Sequence, residues 1–143
     1  MQRLIYSITR LFRTPGGLRL LICLLLAAAA LTPYVQVRDH AFITLDDDLY
    51  ITANPMVLAG LTWQGVKGAF TALHACNWHP LTWLSHMLDC QLYGLWSGGH
   101  HLTNVAFHLA NTILLFLFWA RVTGALWPSA LVAALFALHP LHV

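Results

Sequence analysis

Long apolar stretches without a charged residue constrain what this chain can fold into. The first, LLICLLLAAAALTPYVQV, runs from Leu20 to Val37, and an α-helix needs about 20 such residues to cross a bilayer. The second, LTNVAFHLANTILLFLFWA, covers residues 102–120 and is closed by Arg121. A third begins near Trp127 and runs to Val143. These stretches predict membrane-spanning helices.

The composition agrees with this prediction. Hydrophobic residues make up 59% of the 143 residues and charged residues only 8%, with no glutamate, against roughly 25% charged in soluble domains. A soluble protein needs a charged surface to stay dispersed. We therefore predict an all-α integral membrane protein with membrane lipid as a partner. The net charge of +2 is too small to indicate nucleic acid.

The placement of charge predicts the topology. The first 19 residues carry four arginines and no acid, and basic flanks hold that end of a first span in the cytoplasm. A cleaved signal peptide, with small residues around Ala28–Ala30, is the competing interpretation. The predicted segments are a cytoplasmic basic N-terminus 1–19, transmembrane helix 20–37, extracytoplasmic loop 38–99, transmembrane helix 100–121 and a truncated transmembrane helix 126–143.

The extracytoplasmic loop contains two predicted amphipathic helices. Thr62 is placed to cap a short helix through Phe70. A second helix from Pro80 to Leu95 carries a leucine stripe on one face, which is typical of a helix lying at the membrane interface. In the following span the polar residues recur at helical spacing, and we expect them to face the bundle interior because polar groups at bilayer depth are costly. These residues are His100, Asn104, His108 and Asn111.

Three consecutive carboxylates, Asp46, Asp47 and Asp48, follow the first span on its predicted outer side. A solvated turn or helix cap is one interpretation, and calcium binding another, although the spacing matches no calcium loop. The third is a general base that deprotonates an acceptor hydroxyl. The nine histidines form no HExxH or similar set, so no metal site is predicted. A disulfide between Cys76 and Cys90 is possible, but nothing in the spacing requires it.

Four strings of the sequence, taken together, resemble one family. They are LDDDLYITANP, NWHPLTWLSHMLDCQLYGL, GHHLTNVAFHLANTILL and SALVAALFALHPLHV. From about Thr32 onward the chain resembles bacterial multi-spanning proteins with a GT-C type glycosyltransferase membrane domain and C-terminal tetratricopeptide (TPR) repeats. That group is similar to the transmembrane TPR-containing O-mannosyltransferases of eukaryotes.

The resemblance implies a fold and a site. The fold is a partial GT-C type bundle of about three transmembrane helices plus extracytoplasmic amphipathic helices. The catalytic acidic pair of the first loop maps onto Asp46 and Asp47, eight and seven residues before Asn54, with Asp48 as a neighbour. Donors in the superfamily are usually sugars on polyprenyl phosphate. The residues that we assign to the donor phosphate are His79, His100 and His101.

The expected function is transfer of a sugar from a polyprenyl-phosphate carrier to an acceptor hydroxyl of a protein or glycan. The expected place is the extracytoplasmic side of the bacterial inner (cytoplasmic) membrane. No cofactor is predicted, and a need for a divalent cation stays open. The alternatives are a non-catalytic anchor or scaffold of a TPR protein, and a transporter fragment.

The chain also departs from the family. It contains no 34-residue TPR period, and it stops at His-Pro-Leu-His-Val, where the family continues into further spans. We therefore expect an N-terminal fragment, inactive by itself because three spans cannot enclose both a lipid-linked donor and an acceptor.

Overall fold

The computed structural model describes residues 14–73 and 76–140, and within these ranges all regular elements of three or more residues are helices. This confirms the all-α prediction for the described part of the chain. The α-helices are α1 (Pro15–Leu31), α2 (Pro55–Leu58), α3 (Trp63–Thr71), α4 (Pro80–Tyr93), α5 (Ser97–Thr123) and α6 (Leu126–Leu138). The chain divides into two compact units: unit 1 comprises Met1–Val35 and Val105–Val143, and unit 2 comprises Gln36–Asn104.

Two helical segments, Gly16–Asp39 and Ser97–Thr123, are long and apolar enough to cross a membrane by length and composition. Only 17% and 22% of their most apolar windows are buried in the structure, whereas a core helix of a soluble protein is covered on most sides. The 17 residues of α1 rise about 26 Å, close to the ~30 Å hydrocarbon thickness of a bilayer.

Helix α1 begins and ends earlier than the predicted span 20–37. Its first residue is Pro15, because the Thr14 side chain caps the helix by accepting from the Gly17 N–H at 3.0 Å and proline is favoured at the first helical position. It ends at Leu31, where a 3-10 turn (Thr32–Tyr34) takes over. Pro33 has no N–H to continue the α-helical hydrogen bonds, which explains the early end.

The other two predicted spans also shift at their ends. The span predicted at 100–121 is the longer helix α5, Ser97–Thr123. The span predicted at 126–143 is α6, which ends at Leu138. His139 takes an extended backbone conformation because the residue before a proline, here Pro140, is disfavoured in the α region. Residues 141–143 lie outside the described part.

Unit 1 packs α1, α5 and α6 around one apolar cluster. The buried members come from all three helices: Ile22, Leu26, Phe116, Ala120 and Ala133. His108 adds a polar contact inside this unit, because its Nε2 lies 3.1 Å from the Ala137 carbonyl and its ring stacks on Phe136 at 5.3 Å. His108 thus joins α5 to α6.

The prediction that the whole polar stripe of α5 faces inward is wrong for two of its members. His100 is buried and His108 is half-buried, but Asn104 and Asn111 are exposed. After His100, the buried positions of the helix are instead Val105, Thr112, Phe116 and Ala120. Apolar side chains, and a threonine whose hydroxyl donates to the His108 carbonyl of its own helix, can be buried at a lower desolvation cost than two amide side chains.

Unit 2 is a small helical cluster in which α2 and α3 both pack against α4. Its buried residues are Val57, Ala69, Trp83 and Met87. Asn54 starts α2 by accepting from the N–H groups of Met56 and Val57.

The capping of α3 by Thr62 is as predicted, with the Gly65 N–H bonded to Thr62 Oγ1 at 3.0 Å. Helix α4 begins at Pro80 as predicted and ends two residues before Leu95, at Tyr93. Its leucine stripe is largely exposed, with Leu81 at 74% and Leu92 at 60%, while Trp83 and Met87 on the other face are buried. An apolar outer face of this kind matches a helix that contacts lipid.

Candidate functional site

The acidic loop, Asp46–Asp48, leads into a π-helical turn, Asp48–Thr52. The Asp47 side chain is half-buried and its Oδ2 accepts from the Ile43 N–H at 2.8 Å. Asp46 is exposed, and its backbone carbonyl accepts from the Tyr50 N–H at 2.9 Å. Of the predicted catalytic pair, Asp47 is therefore held in place by its side chain, whereas Asp46 is held by its backbone.

An aromatic contact attaches this turn to α4. Tyr50 stacks on Trp83 with ring centroids 4.9 Å apart, and the His79 ring lies 4.9 Å from Trp83 and 5.6 Å from Tyr50. His79 is the N-cap residue of α4. Trp83 is fully buried, so its ring supports both Tyr50 after the acidic loop and His79 before the helix.

A second group of polar side chains, here called the polar cluster, consists of His86, Asp89 and His100. Each offers one ligand atom, and these atoms all lie within 4.8 Å of one another. His86 and Asp89 are three residues apart on α4, and His100 is on the first turn of α5. Asp89 and His100 are only 3% and 2% exposed, so the cluster is mostly withdrawn from water.

The neighbours of the polar cluster orient its side chains. Thr103 Oγ1 donates to Asp89 Oδ1 at 2.7 Å. His100 Nε2 lies 3.0 Å from the Gly94 carbonyl, and its Nδ1 lies 3.8 Å from Asp89 Oδ2. Gly94 has a φ of 60°, a conformation that glycine adopts at little cost. The glycine at the end of α4 thus turns its carbonyl toward His100.

The two glycines before His100 allow close packing that a larger residue would prevent. A Cβ atom at Gly98 would meet the backbone carbonyl of Arg38, and one at Gly99 would meet the Tyr93 ring. Ser97 Oγ donates to the His40 carbonyl at 2.8 Å. The sequence Ser-Gly-Gly therefore lets the segment at residues 38–40 approach the start of α5.

Electrostatic effects connect the acidic loop with the polar cluster. Burial is the main reason that the pKa of His86 lies below its ordinary value, and His100 and His79 lower it further. The carboxylates of Asp89 and Asp47 act in the opposite direction. Asp47 therefore lies near enough to the cluster to influence His86, and burial favours the neutral imidazole of His86.

The three histidines assigned to a donor phosphate differ in their surroundings. His79 and His101 are half-buried, and within the described residues neither Nε2 atom has a hydrogen-bond partner. The His101 ring lies 6.1 Å from Phe42. His100 is buried and bonded to the Gly94 carbonyl, so it reaches a lipid phosphate only if its side chain moves. His79 and His101 are less buried than His100, but their Nε2 atoms are also covered, so each of the three needs a side-chain movement to reach a phosphate.

His86 and Asp89 have no role in the site that the sequence predicts. Their spacing of three residues was the available signal, because side chains at i and i+3 share one face of a helix. Their partner His100 comes from another helix, and no local pattern indicates that pairing. The possible Cys76–Cys90 disulfide is not formed, since both cysteines, like Cys23, are free.

Two proteins of Drosophila melanogaster are similar to most of the chain. Protein O-mannosyl-transferase Tmtc2 is 30% identical over 129 residues, 84% of this chain. Protein O-mannosyl-transferase Tmtc1 is 40% identical over 128 residues, 81% of the chain. This chain is related to the Tmtc proteins.

The relationship covers only part of the Tmtc proteins, because the chain spans about 14% of the length of each of these curated relatives. No family model matches the chain, and no solved structure matches it. The similarity supports a glycosyltransferase-like function in general, and the two apolar helices agree with a membrane protein.

Proposed function

We propose that this chain is the N-terminal part of a membrane glycosyltransferase of GT-C type. It would move a sugar from a polyprenyl-phosphate carrier to an acceptor hydroxyl on the extracytoplasmic side of the bacterial inner membrane. The observation that carries the proposal is the similarity of more than four fifths of the chain to two proteins named O-mannosyl-transferases. The acidic loop lies within the part of the chain that is similar to these proteins. The contact of Tyr50 with Trp83 attaches the loop to α4.

In this proposal one carboxylate of the pair Asp46 and Asp47 is the general base. It takes the proton of the acceptor hydroxyl, whose oxygen then bonds to the anomeric carbon of the sugar as the bond to the carrier phosphate breaks. Asp47 is the better base candidate, because its hydrogen bond to the Ile43 N–H holds one oxygen and leaves the other for the acceptor. Asp46 is exposed and would contact the acceptor from the water side.

The donor phosphate needs positive or hydrogen-bonding groups at the membrane surface. His79 and His101 have buried ring nitrogens without a hydrogen-bond partner among the described residues, and an imidazole N–H that turns toward a phosphate donates to its oxygens. His79 lies against Tyr50, two residues after the acidic loop. We assign His79 the contact with the phosphate nearest the transferred sugar.

The proposed topology places the N-terminus of the chain in the cytoplasm. Arg19, near the start of α1, and Arg121, near the end of α5, line the same cavity of about 300 Å³ in unit 1. Both apolar helices therefore have a basic residue at the same end, as the preference of basic residues for the cytoplasmic side requires. The acidic loop follows the opposite end of α1.

The donor class is tested with the complete reading frame that contains this chain, purified and reconstituted in liposomes. Polyprenyl-phosphate mannose and GDP-mannose, each radiolabelled, are supplied separately with a Ser/Thr-rich acceptor peptide. The proposal expects label in the peptide from the lipid-linked sugar alone. Transfer from the nucleotide sugar alone contradicts the proposed donor, and no transfer from either, with mannose, glucose or galactose on the lipid, favours the non-catalytic anchor.

A further inference from the structure

The hydrogen bonding of His100 places a ring nitrogen without a proton opposite the carboxylate of Asp89. The Gly94 carbonyl can only accept a hydrogen bond, so Nε2 of His100 carries a proton. In neutral His100 the other nitrogen, Nδ1, then has a lone pair, and it lies 3.8 Å from the Asp89 carboxylate oxygen. Two acceptor atoms face each other in a buried place, which is unfavourable unless a proton or a metal ion lies between them.

His86 brings a third ligand to the same point. In the part of the chain that the structure describes, the Nδ1 atoms of His86 and of His100 are buried without a hydrogen-bond partner. The ligand atoms of His86, Asp89 and His100 lie within 4.8 Å of one another. Two ligands on one tetrahedral ion lie about 3.4 Å apart, given metal–ligand distances of about 2.1 Å. Side-chain rotations that shorten these distances by up to about 1.4 Å close the set around an ion.

We propose that His86, Asp89 and His100 bind a divalent transition-metal ion of the zinc class. Two imidazole nitrogens and one carboxylate oxygen suit Zn²⁺ better than Mg²⁺ or Ca²⁺, which prefer all-oxygen sites. Three protein ligands leave a fourth position for water, as in open zinc sites.

The surroundings of the polar cluster match those of a metal site. Histidine ligands usually donate their second N–H to a carbonyl or carboxylate, and carboxylate ligands are hydrogen-bonded in turn. His100 has the Gly94 carbonyl on Nε2, and Asp89 has the Thr103 hydroxyl on Oδ1. These bonds occupy Nε2 of His100 and Oδ1 of Asp89. The remaining atoms, Nδ1 of His100 and Oδ2 of Asp89, face each other. His86 is half-exposed and provides the side from which an ion enters.

This inference does not depend on the proposed sugar transfer, because the cluster is defined by geometry within unit 2 and its test measures binding. The chain is purified in detergent micelles, treated with a chelator and freed of it. Zn²⁺ alone is then titrated against a chromogenic chelator, and Co²⁺ alone is followed by visible absorption. We expect one tightly bound ion per chain and the strong absorption of a four-coordinate Co²⁺ site.

Variants assign the ion to the cluster. Asp89→Asn keeps an oxygen for Thr103, and His86→Gln changes a half-exposed residue, so both are suited to retain the fold, which circular dichroism checks. Since loss of a supporting hydrogen bond costs about 10- to 100-fold in affinity, we expect Thr103→Val to weaken binding by that factor. Loss of a ligand in Asp89→Asn or His86→Gln is expected to cost at least about 100-fold.

His40→Gln is the matched control, because His40 is an exposed histidine outside the cluster, and we expect it to bind as the parent does. Unchanged binding in both ligand variants would place the ion elsewhere and overturn the proposal. The absence of tight binding in the parent would overturn it as well.

Discussion

Nδ1 of His100 faces Oδ2 of Asp89 at 3.8 Å, with both side chains almost completely buried. This contact joins the first turn of α5 to α4, and Thr103 on α5 adds a hydrogen bond to the other oxygen of the same carboxylate. Unit 2 is therefore held at this point by buried polar contacts as well as by the apolar cluster around Trp83. Buried polar contacts are costly to leave incomplete, so single changes here have measurable effects.

Replacing Thr103 by valine should destabilise the protein. Valine has nearly the same shape but cannot donate to Asp89, so a buried carboxylate oxygen loses its partner. We expect a loss of about 1–3 kcal/mol in the free energy of unfolding, measured by denaturant titration in micelles with chelator present. Thr71→Val is the control, because Thr71 is exposed and its hydroxyl donates to the Lys67 carbonyl of its own helix. Equal effects of the two changes would contradict the importance of the Asp89 contact.

Replacing Gly94 by alanine should destabilise the protein through its backbone. A Cβ atom at Gly94 meets open space, so the effect comes from the φ of 60° and ψ of −129° alone. A non-glycine residue in such a conformation costs about 1–3 kcal/mol. Gly16→Ala is the matched control, since that position is equally open and has no positive φ. Thermal unfolding compares the two variants, and a Gly94→Ala protein as stable as Gly16→Ala would show that the turn is not needed.

The cysteines provide a test of exposure and of sidedness. Cys76 is exposed, whereas Cys90 is half-buried and burial raises the pKa of its thiol. The thiolate is the reactive form, so at neutral pH a maleimide should modify Cys76 several-fold faster than Cys90. Single-cysteine variants, made with Cys23→Ser, allow the rates to be compared by mass spectrometry. Faster modification of Cys90 would contradict the packing of α4.

The same reagents test the proposed topology. A membrane-impermeant maleimide applied to intact spheroplasts should modify the variant that retains only Cys76, because the loop 38–99 is proposed to be extracytoplasmic. Inside-out vesicles should protect Cys76 until detergent is added. Modification in the vesicles and protection in the spheroplasts would reverse the proposed orientation.

Local signals in the sequence were sufficient for several elements. The cap at Thr62 and the proline at Pro80 act within one turn of the residue that carries them, so the starts of α3 and α4 were predicted correctly. Helix α1 starts before the predicted residue, because the cap at Thr14 extends the helix beyond Arg19, whose charge limits the apolar stretch. Helix α6 ends before the predicted residue, because Pro140 disfavours the α conformation at His139.

The candidate site was harder to predict, because its parts are distant in sequence. The acidic loop is visible as three consecutive aspartates, but the contact of Tyr50 with Trp83 joins residues 33 positions apart. The polar cluster forms because α4 and α5 pack with His100 opposite His86 and Asp89. The periodicity of either helix does not specify this alignment. The exposure of Asn104 and Asn111 has the same origin, since helix periodicity defines a face but not the element that covers it.

The central claim is that sugar transfer depends on the acidic loop. The most direct measurement is the initial rate of transfer from radiolabelled polyprenyl-phosphate sugar by the reconstituted complete reading frame, compared among Asp46→Asn, Asp47→Asn and Asp39→Asn. Asp39 is an exposed aspartate paired with Arg38 outside the loop, and its change should leave the rate as it is. Loss of a general base predicts a rate about 10²- to 10⁴-fold lower for at least one of the two loop variants. Transfer at the parent rate in both loop variants would contradict the account.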